Sequence, residues 1–306
     1  MTRLAGALLI AACTLVPTAS SVGPWQRGSP LPLARTEVVA AVLGEEIAIV
    51  GGFLVNGSST ARSDLYSPGR NRWRRLPDLP LAVNHAMAGA YRGRLYVVGG
   101  YGQDGERLKQ AHVFAAGRWQ KLRPLPSPRA AGAAAVAGGR LYVFGGVGPT
   151  GLAESAFVLN LKTARWSSIP GPAPREHLGG AAANGVVYAV AGRTSGLDSN
   201  TRLVEAYDPV RSSWRRLPPV PGARGGTAAT VSGRLLVSVG GEAPEGTIKE
   251  VYALNLKTRR WQMLPDLPTP RHGLGVVALR GRVYAIGGGP RPGLFVSAAN
   301  EYLRLR

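Results

Sequence analysis

One cysteine, four histidines and seventeen acidic side chains are all that this 306-residue chain offers of those types. With a single thiol, Cys13, it can form no internal disulfide and no cysteine-built metal site, so the fold must rest on its core. Lysine is also scarce: only five of the 37 basic side chains are lysines, and the formal net charge of +20 is carried by arginine. No apolar run approaches the roughly 20 residues of a membrane-spanning helix, which excludes a multi-span helical membrane protein. No segment sustains a period of 3.6, so helices are expected to be nearly absent. There is no His-x-x-x-His, Cys-x-x-Cys or Asp-rich calcium loop, so no metal and no cofactor is expected. Apolar residues nevertheless make up 45% of the chain and charged ones 18%, which excludes a disordered polymer.

The amino terminus reads as a leader. Arg3 precedes a 13-residue apolar run, Leu4 to Val16, and then Pro17-Thr18-Ala19-Ser20. A basic start, a short apolar stretch and small residues suit signal peptidase, and 13 residues rise only about 20 Å as a helix. Residues 1–20 are therefore expected to be a signal peptide, and residues 21–306 the folded unit. Ile10-Ala11-Ala12-Cys13 also resembles a lipobox, in which Cys13 would be lipidated. The expected location is outside the cytoplasm: secreted, periplasmic or attached to the cell envelope.

What the chain has in abundance is a repeat. Trp25, Trp73, Trp119, Trp166, Trp214 and Trp261 stand 48, 46, 47, 48 and 47 residues apart. A diglycine recurs at 51–52, 99–100, 145–146, 240–241 and 287–288, becoming Ala191-Gly192 in the fourth copy. Sixteen residues before each pair stands Arg35, Arg129, Arg175, Arg224 or Arg271, with Val83 in the second copy. A unit such as Ala133–Val136, Leu141–Phe144, Phe157–Leu159 and Trp166 reads as four short strands joined by turns. Such a meander buries both faces only against copies of itself, and radial stacking achieves this with short edges. Six copies predict an all-β, six-bladed propeller of four-stranded antiparallel blades. The last copy stops at Glu301-Tyr302-Leu303-Arg304 without a tryptophan, whereas the first begins with Trp25-Gln26. Pairing these ends closes the ring.

Pro128-Arg129, Pro174-Arg175 and Pro270-Arg271, the segment Arg94-Leu95-Tyr96-Val97-Val98-Gly99-Gly100, Ala206-Tyr207-Asp208-Pro209 and Trp214 together resemble kelch repeats. The resemblance covers residues 24–306 and implies a propeller with functional loops on one face. Kelch rings serve as protein-binding modules, carbohydrate-binding units and enzymes, so function must be argued from the site.

Two sets of candidate residues follow. Arg35, Arg129, Arg175, Arg224 and Arg271 share one repeat position and are expected around one mouth of the channel. There they either pair with a carboxylate, phosphate or acidic glycan, or bond loop carbonyls and stitch the ring. The positions just after them break the symmetry. One residue on, the copies read Thr36, Asn84, Ala130, Glu176, Gly225 and His272; two residues on, Glu37, His85, Ala131, His177, Gly226 and Gly273. Copies one, two and four are polar there, and three and five are bare. Glu37, His85, Glu176, His177 and His272 can line a wet channel or act as acid and base on a bound sugar.

Arg72-Trp73-Arg74-Arg75, Trp214-Arg215-Arg216 and Arg259-Arg260-Trp261 fall on outer strands, at the rim, where they guard edges or meet an anionic envelope surface. No base-stacking platform is present, and nucleic acid is not expected as a partner. The reading is an exported, monomeric kelch propeller that binds a protein, glycan or small ligand at its arginine-lined face. The alternative is a sugar-modifying enzyme resembling a sialic-acid mutarotase.

Overall fold

The computed structural model describes residues 22–305. The leader, Cys13 and the first residue of the expected folded unit lie outside the described residues. Six four-stranded antiparallel sheets surround a central channel, in chain order blades I to VI. Their innermost strands are Val39–Leu43, Met87–Tyr91, Ala133–Ala137, Gly179–Ala183, Ala228–Ser232 and Gly275–Leu279. Among the described residues the only helical element is the short 3₁₀ turn Leu197–Ser199. Two small hairpins, at Val147–Leu152 and Glu242–Thr247, extend blades III and V.

The sixth blade is assembled from both ends of the described chain. Gln26–Arg27 pairs antiparallel with Asn300–Arg304, Gln26 opposite Tyr302 and Arg27 opposite Glu301. The tryptophans confirm that this closure reproduces every other blade junction. Each indole Nε1 donates to a carbonyl of the preceding blade's exit segment: Trp73 to Ser29, Trp119 to Pro77, Trp166 to Arg123, Trp214 to Pro170 and Trp261 to Pro218, at 2.8–3.0 Å. Trp25 makes the same bond to Pro265, at 2.8 Å, across 240 residues of chain.

The core is divided rather than central. Six apolar clusters each fill one interface between adjacent blades. The closing interface between VI and I joins Ile47, Ile49, Tyr66, Val277, Tyr284 and Ile286. Small residues on the inner strands are required because neighbouring inner strands nearly touch. A Cβ on Gly180 would fall 2.8 Å from the Cβ of Ala133, below any real separation.

The diglycine couples the blades. Its second N–H donates to the carbonyl at the arginine position of the next blade, in all six junctions and at 2.7–2.9 Å: Gly52 to Val83, Gly100 to Arg129, Gly146 to Arg175, Gly192 to Arg224, Gly241 to Arg271 and Gly288 to Arg35. Both members have positive φ, 61–66° for the first glycine and 79–123° for the second. That backbone suits glycine, and Ala191 is the one first-position residue that tolerates it with a Cβ, at φ 53°.

Candidate functional site

The five repeat arginines do not line the mouth. Their residues are 0–2% exposed, and each guanidinium runs back into its own blade to the carbonyl of the first diglycine residue, sixteen positions on. Arg35 reaches Gly51, Arg129 Gly145, Arg175 Ala191, Arg224 Gly240 and Arg271 Gly287. On the third strand of the blade a residue then answers the charge. Asp64, Glu205 and Glu301 form buried ion pairs with Arg35, Arg175 and Arg271 at 2.7, 2.5 and 2.6 Å. In blades III and V a ring replaces the carboxylate: Arg129 lies over Phe157 and Arg224 over Tyr252. Burial draws the Arg129 and Arg224 guanidiniums down to about 10, still charged at neutral pH. Of the two readings of these arginines, the structure shows the stitching one. An arginine-lined mouth is corrected because each side chain is long enough to reach back to the diglycine and is buried there.

The mouth instead carries carboxylates and imidazoles. A cavity of about 140 Å³ opens along the first half of the inner strands and is lined by Glu37, His85, Ala131, His177, Gly226 and Gly273, two residues past each arginine position. All six have left-handed backbone, φ 49–62°. Neighbours in this ring are linked by backbone bonds, His85 N to Glu37 O, Ala131 N to His85 O and His177 N to Ala131 O. The strain belongs to the repeat, since Ala131 shares it, and glycine relieves it at 226 and 273. Glu37, His85 and His177 keep side chains there although each costs of order 1–3 kcal/mol.

The empty-looking copies are empty because neighbours occupy their space. Glu37 lies across Gly273, where any Cβ would collide with its carboxylate. In this position Glu37 Oε1 is 3.1 Å from His272 Nδ1, and Oε2 is 3.1 Å from His85 Nε2. Arg193 crosses Gly225 in the same way, joining Glu176 Oε1 at 3.1 Å to Glu242 Oε1 at 2.8 Å. Glu242 thus brings a carboxylate from blade V, which the sequence reading took to be bare; only blade III, with Ala130, Ala131 and Val147, is apolar here. His85 Nε2 and His177 Nε2 are 2.9 Å apart, and Phe53 and Tyr101 hold the His85 ring edge-on at 5.8 and 5.5 Å.

Charge states follow from the partners. His272 Nε2 faces the carbonyls of Arg291 and Gly293 at 3.0 and 3.1 Å, while Nδ1 faces Glu37. Both ring nitrogens meet acceptors, so the imidazolium is favoured. Burial opposes that charge, but the hydrogen bond and charge of Glu37, with Glu242, raise the His272 pKa above its ordinary value. Burial would likewise push the Glu37 carboxyl up, yet His85, His272 and His177 outweigh it and hold it well below the usual carboxylate range. Burial prevails at His85, which is pushed down to about 4 against the pull of Glu37. Glu176 is lowered despite burial by His177 and Arg193.

The structure therefore brings Glu37, His85, Glu176, His177 and His272 together and leaves the repeat arginines elsewhere. Sequence reasoning missed Arg193, Glu242 and Asn200, whose amide donates to the Glu242 carbonyl at 2.7 Å. A signal existed for the first two. They occupy the position just after the diglycine, where the copies read Phe53, Tyr101, Val147, Arg193, Glu242 and Gly289, and each bridges the residue following the arginine position.

The chain matches the model of the KLHDC2/KLHL20/DRC7 Kelch-repeats domain over residues 37–220 and 125–289. It is 32% identical over 136 residues to the Kelch-like protein terF of Aspergillus terreus, covering 42% of this chain and 30% of that protein. It is 33% identical over 107 residues to the Kelch-like ECH-associated protein 1B of Danio rerio, covering 34% and 18%. With the Kelch domain-containing protein 8B of Mus musculus the identity is 30% over 141 residues, covering 42% and 40%. These matches span less than half the length of the relatives. Register, blade closure and the family match lead to one conclusion: the chain belongs to the kelch-repeat β-propeller family.

Proposed function

We propose that this propeller is a binding module whose partner, a protein, docks at the channel mouth over Glu37, His85, Glu176, His177, Arg193, Glu242 and His272. The observation that carries the reading is the concentration there of ionisable side chains, three of which, Glu37, His85 and His177, stand at a left-handed backbone position. Three carboxylates, Glu37, Glu176 and Glu242, outnumber the two cations, Arg193 and the His272 imidazolium, so the mouth suits a partner presenting a basic or hydrogen-donating side chain better than an acidic glycan. None of the relatives named above carries an enzyme name, so the sugar-modifying alternative draws no support from them. Export is part of the proposal and rests on the pattern of residues 1–20; N-terminal sequencing of the mature protein tests it.

Selection from a peptide display library tests the docking face. Selected peptides should lose binding to Glu176→Gln/Arg193→Gln and retain it on the rim variant Arg215→Gln/Arg216→Gln. Peptides that depend on the rim and ignore the mouth would overturn the reading.

A further inference from the structure

We infer that Glu37, His85 and His177 form a binding site for one divalent transition-metal ion, of which zinc is the fitting example. One ligand atom from each residue lies within 4.8 Å of the others. His85 Nε2 is 2.9 Å from His177 Nε2 and 3.1 Å from Glu37 Oε2. Ligands at about 2.0–2.1 Å around a tetrahedral zinc stand about 3.3 Å apart, so small side-chain movements bring the three atoms to that spacing.

The proton inventory leaves room for a cation. The Asn84 amide donates through Nδ2 to Ser59 Oγ at 2.8 Å, which turns its Oδ1 toward His85 Nδ1. His85 Nδ1 must then be the donor, and its Nε2 carries a lone pair. His177 Nδ1 lies 3.1 Å from Glu176 Oε1, an oxygen that already accepts from Arg193. With its proton on Nδ1, facing that carboxylate, His177 leaves Nε2 bare as a ligand atom. In that tautomer two imidazole lone pairs and the Glu37 carboxylate converge with no hydrogen among them. An electrophile at their centre removes the conflict, and two imidazoles with one carboxylate suit zinc.

Asn84 and Glu176 then act as outer supports that orient the two rings, the usual companion of histidine ligation. Phe53 and Tyr101 fix the His85 ring from its sides. All three ligands line the channel cavity, which leaves the ion's remaining position facing that space for water or a partner's donor group. Nothing in this inference needs the docking reading, since the ion is held by this chain alone.

Calorimetric titration of the chelator-stripped protein with zinc chloride, with native mass spectrometry for stoichiometry, decides the matter. The expected result is one ion per chain. Glu37→Gln, His85→Asn and His177→Asn should each weaken binding by at least about 100-fold, and Asn84→Ala by about 10–100-fold. Asparagine is chosen because it tolerates the left-handed backbone at 85 and 177. Cobalt(II) should give visible d–d absorption that the same variants lose, and each variant's far-ultraviolet circular dichroism reports whether it has folded. No isotherm with the folded parent protein would overturn the site, leaving a shared proton between the imidazoles. An isotherm that survives all three ligand substitutions would overturn it equally.

Discussion

The channel mouth and the rim carry charge in opposite ways. At the mouth Glu37, Glu176 and Glu242 surround one arginine, Arg193, and the imidazolium of His272. At the rim Arg72, Arg74, Arg75, Arg118, Arg215, Arg216, Arg259 and Arg260 stand exposed on or beside outer strands. Between them, inside the blades, five further arginines are sealed from solvent. One residue type therefore does three jobs set by radius: it ties blade to diglycine in the interior, bridges two carboxylates at the mouth and keeps outer edges solvated. The net charge of +20 describes the rim and hides an acidic mouth.

The comparison can be broken most severely at the seam and in the interior. Removing residues 22–28 deletes the outer strand of blade VI and the Trp25 bond to Pro265, and should collapse cooperative unfolding of the whole ring; an unchanged melting curve would refute the closure. Next is Arg271→Met, which leaves the Glu301 carboxylate buried without its partner. Urea denaturation should show a loss of about 3–5 kcal/mol, because breaking a buried pair strands its other charge. Gly273→Val attacks the mouth through both a φ of +56° and a collision with Glu37. It should cost about 1–3 kcal/mol for the backbone alone and detach Glu37 from His272.

Titration sharpens the contrast further. In chelator-treated protein, ring NMR should place His85 near 4 and His272 above 6.5. His272 is raised in the folded state, so it stabilises fully below 6.5, and that contribution disappears as pH climbs through its folded value. His85 is depressed, so the fold loses stability as pH falls from 6.5 toward about 4, where only the unfolded chain gains the proton. Glu37→Gln should return His272 toward its ordinary value. The smallest effect belongs to the rim: Arg215→Gln/Arg216→Gln should change unfolding free energy by no more than about 0.5 kcal/mol. Any attraction of the rim for anionic vesicles should weaken as salt rises.

The fold was legible because three markers recur in one register, and a register is a statement about geometry. The apolar pattern named four strands per copy, and the missing final tryptophan named the seam. The mouth was half legible. Reading across the copies at the two positions after the arginine found Glu37, His85, Glu176, His177 and His272, since a sixfold repeat puts equivalent Cα atoms on one circle. The arginines misled for the same reason: a Cα on the circle does not say which way a long side chain runs. Their constant sixteen-residue distance from the diglycine was the overlooked sign of a fixed partner. The convergence of Glu37, His85 and His177 had no short-range signature, because its members come from three blades, the two histidines 92 positions apart.

The division of labour among arginines is tested most directly by modifying native protein with an arginine-selective dicarbonyl reagent and locating the adducts by peptide mass spectrometry. Arg35, Arg129, Arg175, Arg224 and Arg271 should stay unmodified until the protein unfolds, while Arg72, Arg74, Arg215 and Arg216 react at once. Reaction of the five repeat arginines at rim-like rates in the folded protein would contradict the account and restore an arginine-lined mouth.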